Sequence, residues 1–294
     1  MRKPETRGIK LDNKLIKDDT LEKISKLPIN IVIEGETGTG KDKLALDIHN
    51  RSGRSGKFIA VNCAAIPEMI AESELFGVKS GAYTGATNSR YGFIEASHKG
   101  TLYLDELDSM PLPIQAKLLR AIEEQAVVPL GSTNVKYLDL RVITSTKIKI
   151  GKLLEDGILR GDLIYRLNTI TLTLPNLKEI RNEIITNFNK FVTEFSIKFG
   201  TSPNDIDSDL IFRLENYSWP GNYRELRSCA EKFSIGIPVF EEENINAKQS
   251  LKQLTREYEK KIIKETITKN KGNLDIVSYD LNISKRCIYY KLSK

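Results

Sequence analysis

The segment Gly35-Glu36-Thr37-Gly38-Thr39-Gly40-Lys41 constrains this chain more than any other. It directly follows an apolar run, Ile29–Glu34, and opens an amphipathic stretch. Glycines at this spacing let successive backbone N–H groups point inward at phosphate oxygens, and a helix N-terminus adds its dipole. Lys41 then reaches the β- and γ-phosphates. The residue after the lysine is Asp42, where the general pattern has Ser or Thr. An ordinary Gly-rich turn is the competing reading, and the strand-loop-helix context weighs against it.

The surrounding chain supplies that context. Strands are expected at Ile29–Glu34, Lys57–Asn62, Thr101–Leu104, Leu140–Ser145 and Thr169–Leu174. They are rich in β-branched residues without polar alternation, as strands covered on both faces are. Amphipathic stretches such as Pro113–Glu124 lie between them, so the pattern reads as an α/β fold with a parallel sheet. After Pro175 only helices are expected: Glu179–Phe199, Ser208–Asn216 and Arg224–Phe233. The division that follows is an α/β core over 1–175, a helical lid over 176–235, a linker over 236–249 and a basic module over 250–294.

Thr101-Leu102-Tyr103-Leu104-Asp105-Glu106 delivers two carboxylates to the C-terminal end of a strand, where open α/β sheets bind ligands. Asp105 suits holding Mg²⁺, directly or through water, and Glu106 suits orienting and polarising an attacking water. Together with the phosphate loop, the pair makes the chain an NTP hydrolase, with ATP and Mg²⁺ as the expected substrate and metal.

Composition excludes several other classes. No run of apolar residues reaches the length a membrane span needs, and the N-terminus has no apolar segment behind its basic residues. Cys63, Cys229 and Cys287 are scattered and odd in number, which fits reduced thiols in a cytoplasm. Net charge is +6, and residues 251–294 hold 11 Lys+Arg against 5 Asp+Glu, so the rest of the chain is neutral. A basic terminal segment behind a neutral body is the footprint of a nucleic-acid-binding module, with a solvated tail as the alternative.

These motifs resemble the sigma-54-dependent activators, the bacterial enhancer-binding proteins, from about Ile31 to Phe233 and again at the C-terminus. The most specific match is Glu72-Ser73-Glu74-Leu75-Phe76-Gly77 followed by Gly81-Ala82-Tyr83-Thr84-Gly85-Ala86. The family normally has Phe where Tyr83 stands, and its loop is inserted in a helix of the AAA+ core and touches the sigma factor. Two glycines around a small apolar tip suit a loop that changes shape and docks on a partner. The resemblance implies an AAA+ P-loop NTPase core, a helical lid and a sigma-54 RNA polymerase partner. It also implies that Asn62 holds Glu106 according to nucleotide state. Arg160 and Arg166 are implied as arginine fingers reaching a neighbouring subunit's site, which would exist only in a ring, expected to be a hexamer. Arg224, in Trp219-Pro220-Gly221-Asn222-Tyr223-Arg224-Glu225-Leu226, would sense the γ-phosphate.

Two departures from the family pattern stand out. Lys147 follows the strand Arg141–Thr146 where the family usually has the sensor asparagine, and Val78, Lys79 and Ser80 differ from the common pattern between the hallmark segments. A lysine cannot accept a hydrogen bond, so nucleotide sensing is expected to be altered.

In the basic module, helices are expected at Glu259–Asn270, Asn273–Asp280 and Lys285–Leu292, with Asn282 at the turn and Ser284 as N-cap. This is similar to the Fis-type helix-turn-helix that ends the family. It places Lys285, Arg286, Tyr289 and Lys291 on the face toward double-stranded DNA at an enhancer-like site, with Ile288 and Leu292 inward. A basic protein-binding bundle is the alternative. The first 27 residues are too short for a sensing domain, so regulation is expected from a separate protein or from a part of the chain not given. Two other functions stay open: an AAA+ remodeller with a different client, and a DNA-binding regulator with a vestigial ATPase.

Overall fold

A computed structural model describes residues 9–11, 18–82, 88–202, 205–240, 251–270 and 272–293. Among the described residues there are eight strands: β1 (Ile9–Leu11), β2 (Ile31–Glu34), β3 (Phe58–Asn62), β4 (Thr101–Asp105), β5 (Ala126–Val127), β6 (Lys136–Tyr137), β7 (Arg141–Thr146) and β8 (Ile170–Thr173). Six of them form a sheet in the order β1-β8-β2-β7-β4-β3, parallel throughout, while β5 and β6 make a short antiparallel pair.

Burial on both faces explains why these strands read as continuous apolar runs. On one face Val32, Leu102, Leu104 and Val142 join Ile114, Leu118 and Ile122 of the helix Leu112–Glu124. On the other, Ile31, Ile33, Tyr103 and Ile143 pack with Ala45 and Ile48 of the helix Lys41–Arg51 and with Leu21 and Ile24. Period-two alternation thus sends neighbouring residues of one strand into two separate cores. Arg141 is 2% exposed and donates to the carbonyls of Ser25 (2.7 Å) and Ile29 (3.1 Å), fastening the helix Asp18–Lys26 to the sheet.

Strand order positions the site. β7 lies between β2, which runs into the glycine loop, and β4, which ends on Asp105. The segments after all three strands therefore meet at the C-terminal edge of the sheet, where parallel sheets bind ligands.

The lid contains the helices Ile184–Phe199, Ser208–Asn216 and Asn222–Ser234. The first starts later than expected: Glu179 ends one short 3-10 turn, Ile180 (φ −124°) interrupts it, and a second turn over Arg181–Glu183 precedes the α-helix. Trp219 is 1% exposed and donates its Nε1 hydrogen to the Leu214 carbonyl at 2.8 Å, so it is a core residue of the lid.

The chain divides into two compact units, Met1–Ile237 and Pro238–Lys294. The linker expected over 236–249 lies outside the described residues from 241 on. In the second unit the helices are Leu251–Lys269, Leu274–Asp280 and Lys285–Ser293, the first beginning eight residues before its expected start at Glu259. They close around Ile263, Val277 and Ile288, with Leu281 and Leu292 packed alongside. Asn282 adopts φ 51°, the left-handed conformation expected at that turn. Ser284 accepts the Cys287 N–H at 3.2 Å and so caps the last helix. No described helix is long and apolar enough to cross a membrane.

Candidate active site

A cavity of about 320 Å³ opens at the sheet's C-terminal edge. Its wall holds Thr37, Gly38, Gly40, Lys41 and Asp42 from the glycine loop and helix start, Asp105 and Glu106 from the end of β4, Lys147 after β7, and Arg224 from the lid. Of the lining residues, five are cations (Lys41, Lys43, Lys147, Arg224, Arg227) and three are carboxylates. That excess of positive charge favours a polyphosphate.

The loop is shaped by its glycines at two points. Gly38 has φ 79°, and a Cβ there would sit 2.2 Å from the Gly221 carbonyl oxygen, so only glycine lets the lid approach this closely. Gly40 has φ 94° where the helix begins. Lys41 folds back in this structure and donates to the Gly35 and Glu36 carbonyls at 2.7 and 3.1 Å. Thr39 likewise donates to the Glu36 carbonyl, at 2.8 Å. Burial holds the Lys41 ammonium below its ordinary range, against the neighbouring carboxylates of Asp105 and Asp42. Gly35 and Glu36 face a separate cavity of about 220 Å³, and Thr39 faces one of about 640 Å³ that also takes in Asn187 and Lys190 of the lid.

The two acids have different partners. Asp105 Oδ1 accepts from the Ser145 hydroxyl and, at 3.3 Å, from the Tyr103 hydroxyl. Tyr103 also donates to Asp42 Oδ1 at 2.8 Å, so one buried phenol joins the carboxylate after Lys41 to the one after β4. Burial raises the Tyr103 pKa, which keeps the hydroxyl a donor. Glu106 has φ 52°, a left-handed conformation that costs a non-glycine residue energy and that clusters at functional sites. Its Oε1 pairs with Lys147 Nζ at 2.7 Å.

The contact expected between Asn62 and Glu106 depends on nucleotide state, and the Asn62 side chain has other partners here. Its Oδ1 caps the Ala64 and Ala65 N–H groups at 2.9 and 3.2 Å, and its Nδ2 donates to Asp105 Oδ2 at 3.5 Å. Glu106 pairs with Lys147.

Arg160 and Arg166 are not on the wall of their own chain's cavity. Both lie at the short helix Gly161–Leu167, Arg166 exposed and Arg160 forked onto Asp162 at 3.0 and 2.7 Å, a contact that raises the arginine's pKa. Gly81 and Ala82 are described, whereas Tyr83, Thr84, Gly85 and Ala86 of the expected sigma contact lie outside the described residues. Below them Val78 bridges to Arg90 and Leu130, which fixes the start of this loop.

The Sigma-54 interaction domain family model matches residues 13–173, and the AAA+ ATPase lid domain model matches residues 178–265. The chain belongs to the sigma-54-dependent transcriptional activators. It is 44% identical over 276 residues to the pathogenicity locus probable regulatory protein HrpS of Pseudomonas syringae pv. syringae, spanning 93% of this chain and 91% of that protein. It is 37% identical to the C4-dicarboxylate transport transcriptional regulatory protein DctD of Rhizobium meliloti, over 94% of this chain and 61% of that one. Among solved structures, NtrX from Brucella abortus in complex with ATP superposes with a TM-score of 0.70 at 28% identity. That match covers 94% of this chain, which spans 65% of the solved one. As a sigma-54-dependent activator the chain is a nucleotide-binding AAA+ ATPase that acts on sigma-54 RNA polymerase.

Two residues of this activator escaped the sequence reading. Tyr103 sits two positions before Asp105, so strand alternation puts both on one face, a signal available in the sequence. Asn222, 1% exposed with φ 49°, donates to the Thr37 carbonyl at 3.0 Å and accepts the Leu177 N–H at 2.8 Å. It ties the phosphate loop to the lid; Pro220-Gly221 before it signals a turn, but not which distant segments the turn joins.

The second unit bears only partly on the expected DNA face. Arg286 and Tyr289 are exposed. Lys285 pairs with Asp275 at 2.6 Å, and Lys291 turns toward Glu259 of the helix Leu251–Lys269 at 2.5 Å. Lys291 is thus the least available of the four.

Proposed function

We propose that this activator hydrolyses Mg²⁺-ATP in a ring, with each site completed by a neighbouring subunit, and that it binds double-stranded DNA through residues 250–294. The observation that carries the ring is the split between charges: Lys41, Asp105, Glu106 and Arg224 share one cavity, while Arg160 and Arg166 stand outside it. A guanidinium outside its own chain's cavity can act as an arginine finger only in another chain's site, and a hexamer is the proposed assembly. Glu106 orients the attacking water and takes its proton, while Lys41 and Arg224 hold the phosphates. Asp105 and Asp42, joined by Tyr103, offer the one or two carboxylates that Mg²⁺ takes beside phosphate oxygens and water, and the metal would neutralise charge on the β- and γ-phosphates. Asn62 orients Asp105 in this reading. The basic unit keeps Arg286 and Tyr289 for the DNA groove, with Lys285 and Lys291 on the phosphates once their surface pairs exchange. The proposed division is an α/β core over 1–175, a helical lid over 176–235, a linker over 236–249 and a basic module over 250–294.

Mixing two inactive chains tests the shared site. Arg166→Ala keeps Glu106, and Glu106→Gln keeps Arg166, so mixed rings contain some complete sites. ATP turnover is expected to be low in each pure variant, to reappear in the mixture and to rise per chain with concentration. No recovery at any ratio, with concentration-independent turnover of the unmutated chain, contradicts a shared site.

A further inference from the structure

Lys147 is the one residue of the cavity wall that departs from the pattern at a position expected to sense nucleotide, and the structure gives it a partner. β7 and β4 are neighbours in register, with Leu104 opposite Thr144, so the residues just after each strand are brought side by side. Lys147 Nζ lies 2.7 Å from Glu106 Oε1, with the two side chains 42% and 21% exposed. The ammonium occupies an acceptor site on the carboxylate that would receive a water's proton. Hydrogen bonding and charge from Glu106 raise the lysine's pKa, so it stays a cation.

The same ammonium faces the phosphate site. β7 lies between the strand leading to Lys41 and the strand leading to Glu106, and Lys41 and Lys147 line one cavity. After burial and the nearby carboxylates, the charge of Lys147 is a further influence on Lys41, and it acts to lower that lysine's pKa. Each ammonium is turned onto oxygen partners here, and like charges brought together in one cavity repel until an anion lies between them. A half-exposed ion pair is weak, whereas a charge-assisted bond to a terminal phosphate has a more highly charged acceptor. A diphosphate offers no such acceptor at the far end of the site.

We propose that Lys147 is a latch on Glu106 operated by the terminal phosphate. In the empty or diphosphate-loaded site the ammonium holds Glu106 Oε1; in the triphosphate-loaded site it transfers to a terminal phosphate oxygen and leaves the carboxylate to the water. Lys147 is then a positioning residue for Glu106 and the contact that distinguishes triphosphate from diphosphate. This rests on the reading of the cavity as the nucleotide site.

A double-mutant cycle read by nucleotide binding tests the latch on the full chain. The probes are the non-hydrolysable β,γ-imido analogue of ATP and ADP, and the variants are Glu106→Gln, Lys147→Met and the double change. Glu106→Gln releases the ammonium, so the part of its effect that depends on Lys147 is expected to tighten the triphosphate analogue about two- to fivefold. ADP should show no such coupling. Lys147→Met alone should weaken the triphosphate analogue relative to ADP, and Lys147→Arg should restore the preference. Equal effects of Glu106→Gln in both lysine backgrounds, or equal coupling for ADP, overturn the latch. Lys41→Ala separates the two claims. Loss of both nucleotides in Lys41→Ala without coupling in the cycle removes the latch alone. Undiminished binding in Lys41→Ala removes the nucleotide reading and the latch with it.

Discussion

Glu106→Gln binds ATP and fails to turn it over. The amide is close in shape, so the left-handed backbone at this position and the Glu106 N–H to Ser145 Oγ contact at 3.3 Å are kept. What is lost is the acceptor for the proton of the attacking water, a contribution of about 10²- to 10⁴-fold in rate. Binding persists because Lys41, Arg224 and the backbone of the loop are untouched. The measurements are steady-state ATP turnover and equilibrium binding of a labelled nucleotide on one preparation. Turnover within about twofold of the unmutated chain, far from the factor expected for losing a general base, removes Glu106 from the chemistry.

Deleting Leu251–Lys294 is expected to abolish specific DNA binding while ATP hydrolysis continues. The segment carries the entire net charge of +6 and its own small core around Ile263, Val277 and Ile288. The first unit, Met1–Ile237, retains the sheet, the lid and the whole cavity wall. With intact chain, affinity should fall steeply as salt rises, because each neutralised phosphate releases counterions at about 0.9 log units per log salt. Arg286→Ala in the full chain should weaken binding by roughly the value of one good contact, about 1–3 kcal/mol, and flatten sequence preference if it reads a base. Binding and salt dependence unchanged after the deletion would place the DNA surface in the first unit.

Much of the site could be read before any coordinates, for a physical reason. The expected strands fall within two residues of β2, β3, β4, β7 and β8 because both faces of a parallel sheet are covered and the apolar runs are continuous. The glycine loop and the acid pair are local in sequence, and so is the left-handed Asn282. What could not be read depends on strand order. Lys147 is 41 residues from Glu106, and only the placement of β7 beside β4 makes them partners. Asn62 caps the turn after β3 with its Oδ1 and reaches Asp105 with its Nδ2, the second contact made possible only by the pairing of β3 with β4. Tyr103 passed as one more apolar residue of a buried strand, although its ring stacks on Phe58 while its hydroxyl reaches two carboxylates. β1 was missed altogether, since Ile9–Leu11 is too short for any period to show.

We propose that nucleotide state in this cavity controls contact with the sigma factor through the segment Gly81–Ala86. Thr84 has no base beside it in the sequence and Tyr83 no proton to move, so the segment is expected to serve contact alone. The decisive measurement is retention of purified sigma-54 by this chain with ADP and with a transition-state mimic of ATP, for the unmutated protein and for Thr84→Ala, alongside ATP turnover and promoter opening by sigma-54 polymerase. The expected result is sigma-54 bound with the mimic and released with ADP, and a Thr84→Ala chain that hydrolyses ATP near the normal rate yet neither binds nor opens the promoter. Failure of the unmutated chain to bind sigma-54 in any nucleotide state, or loss of hydrolysis together with binding in Thr84→Ala, contradicts it.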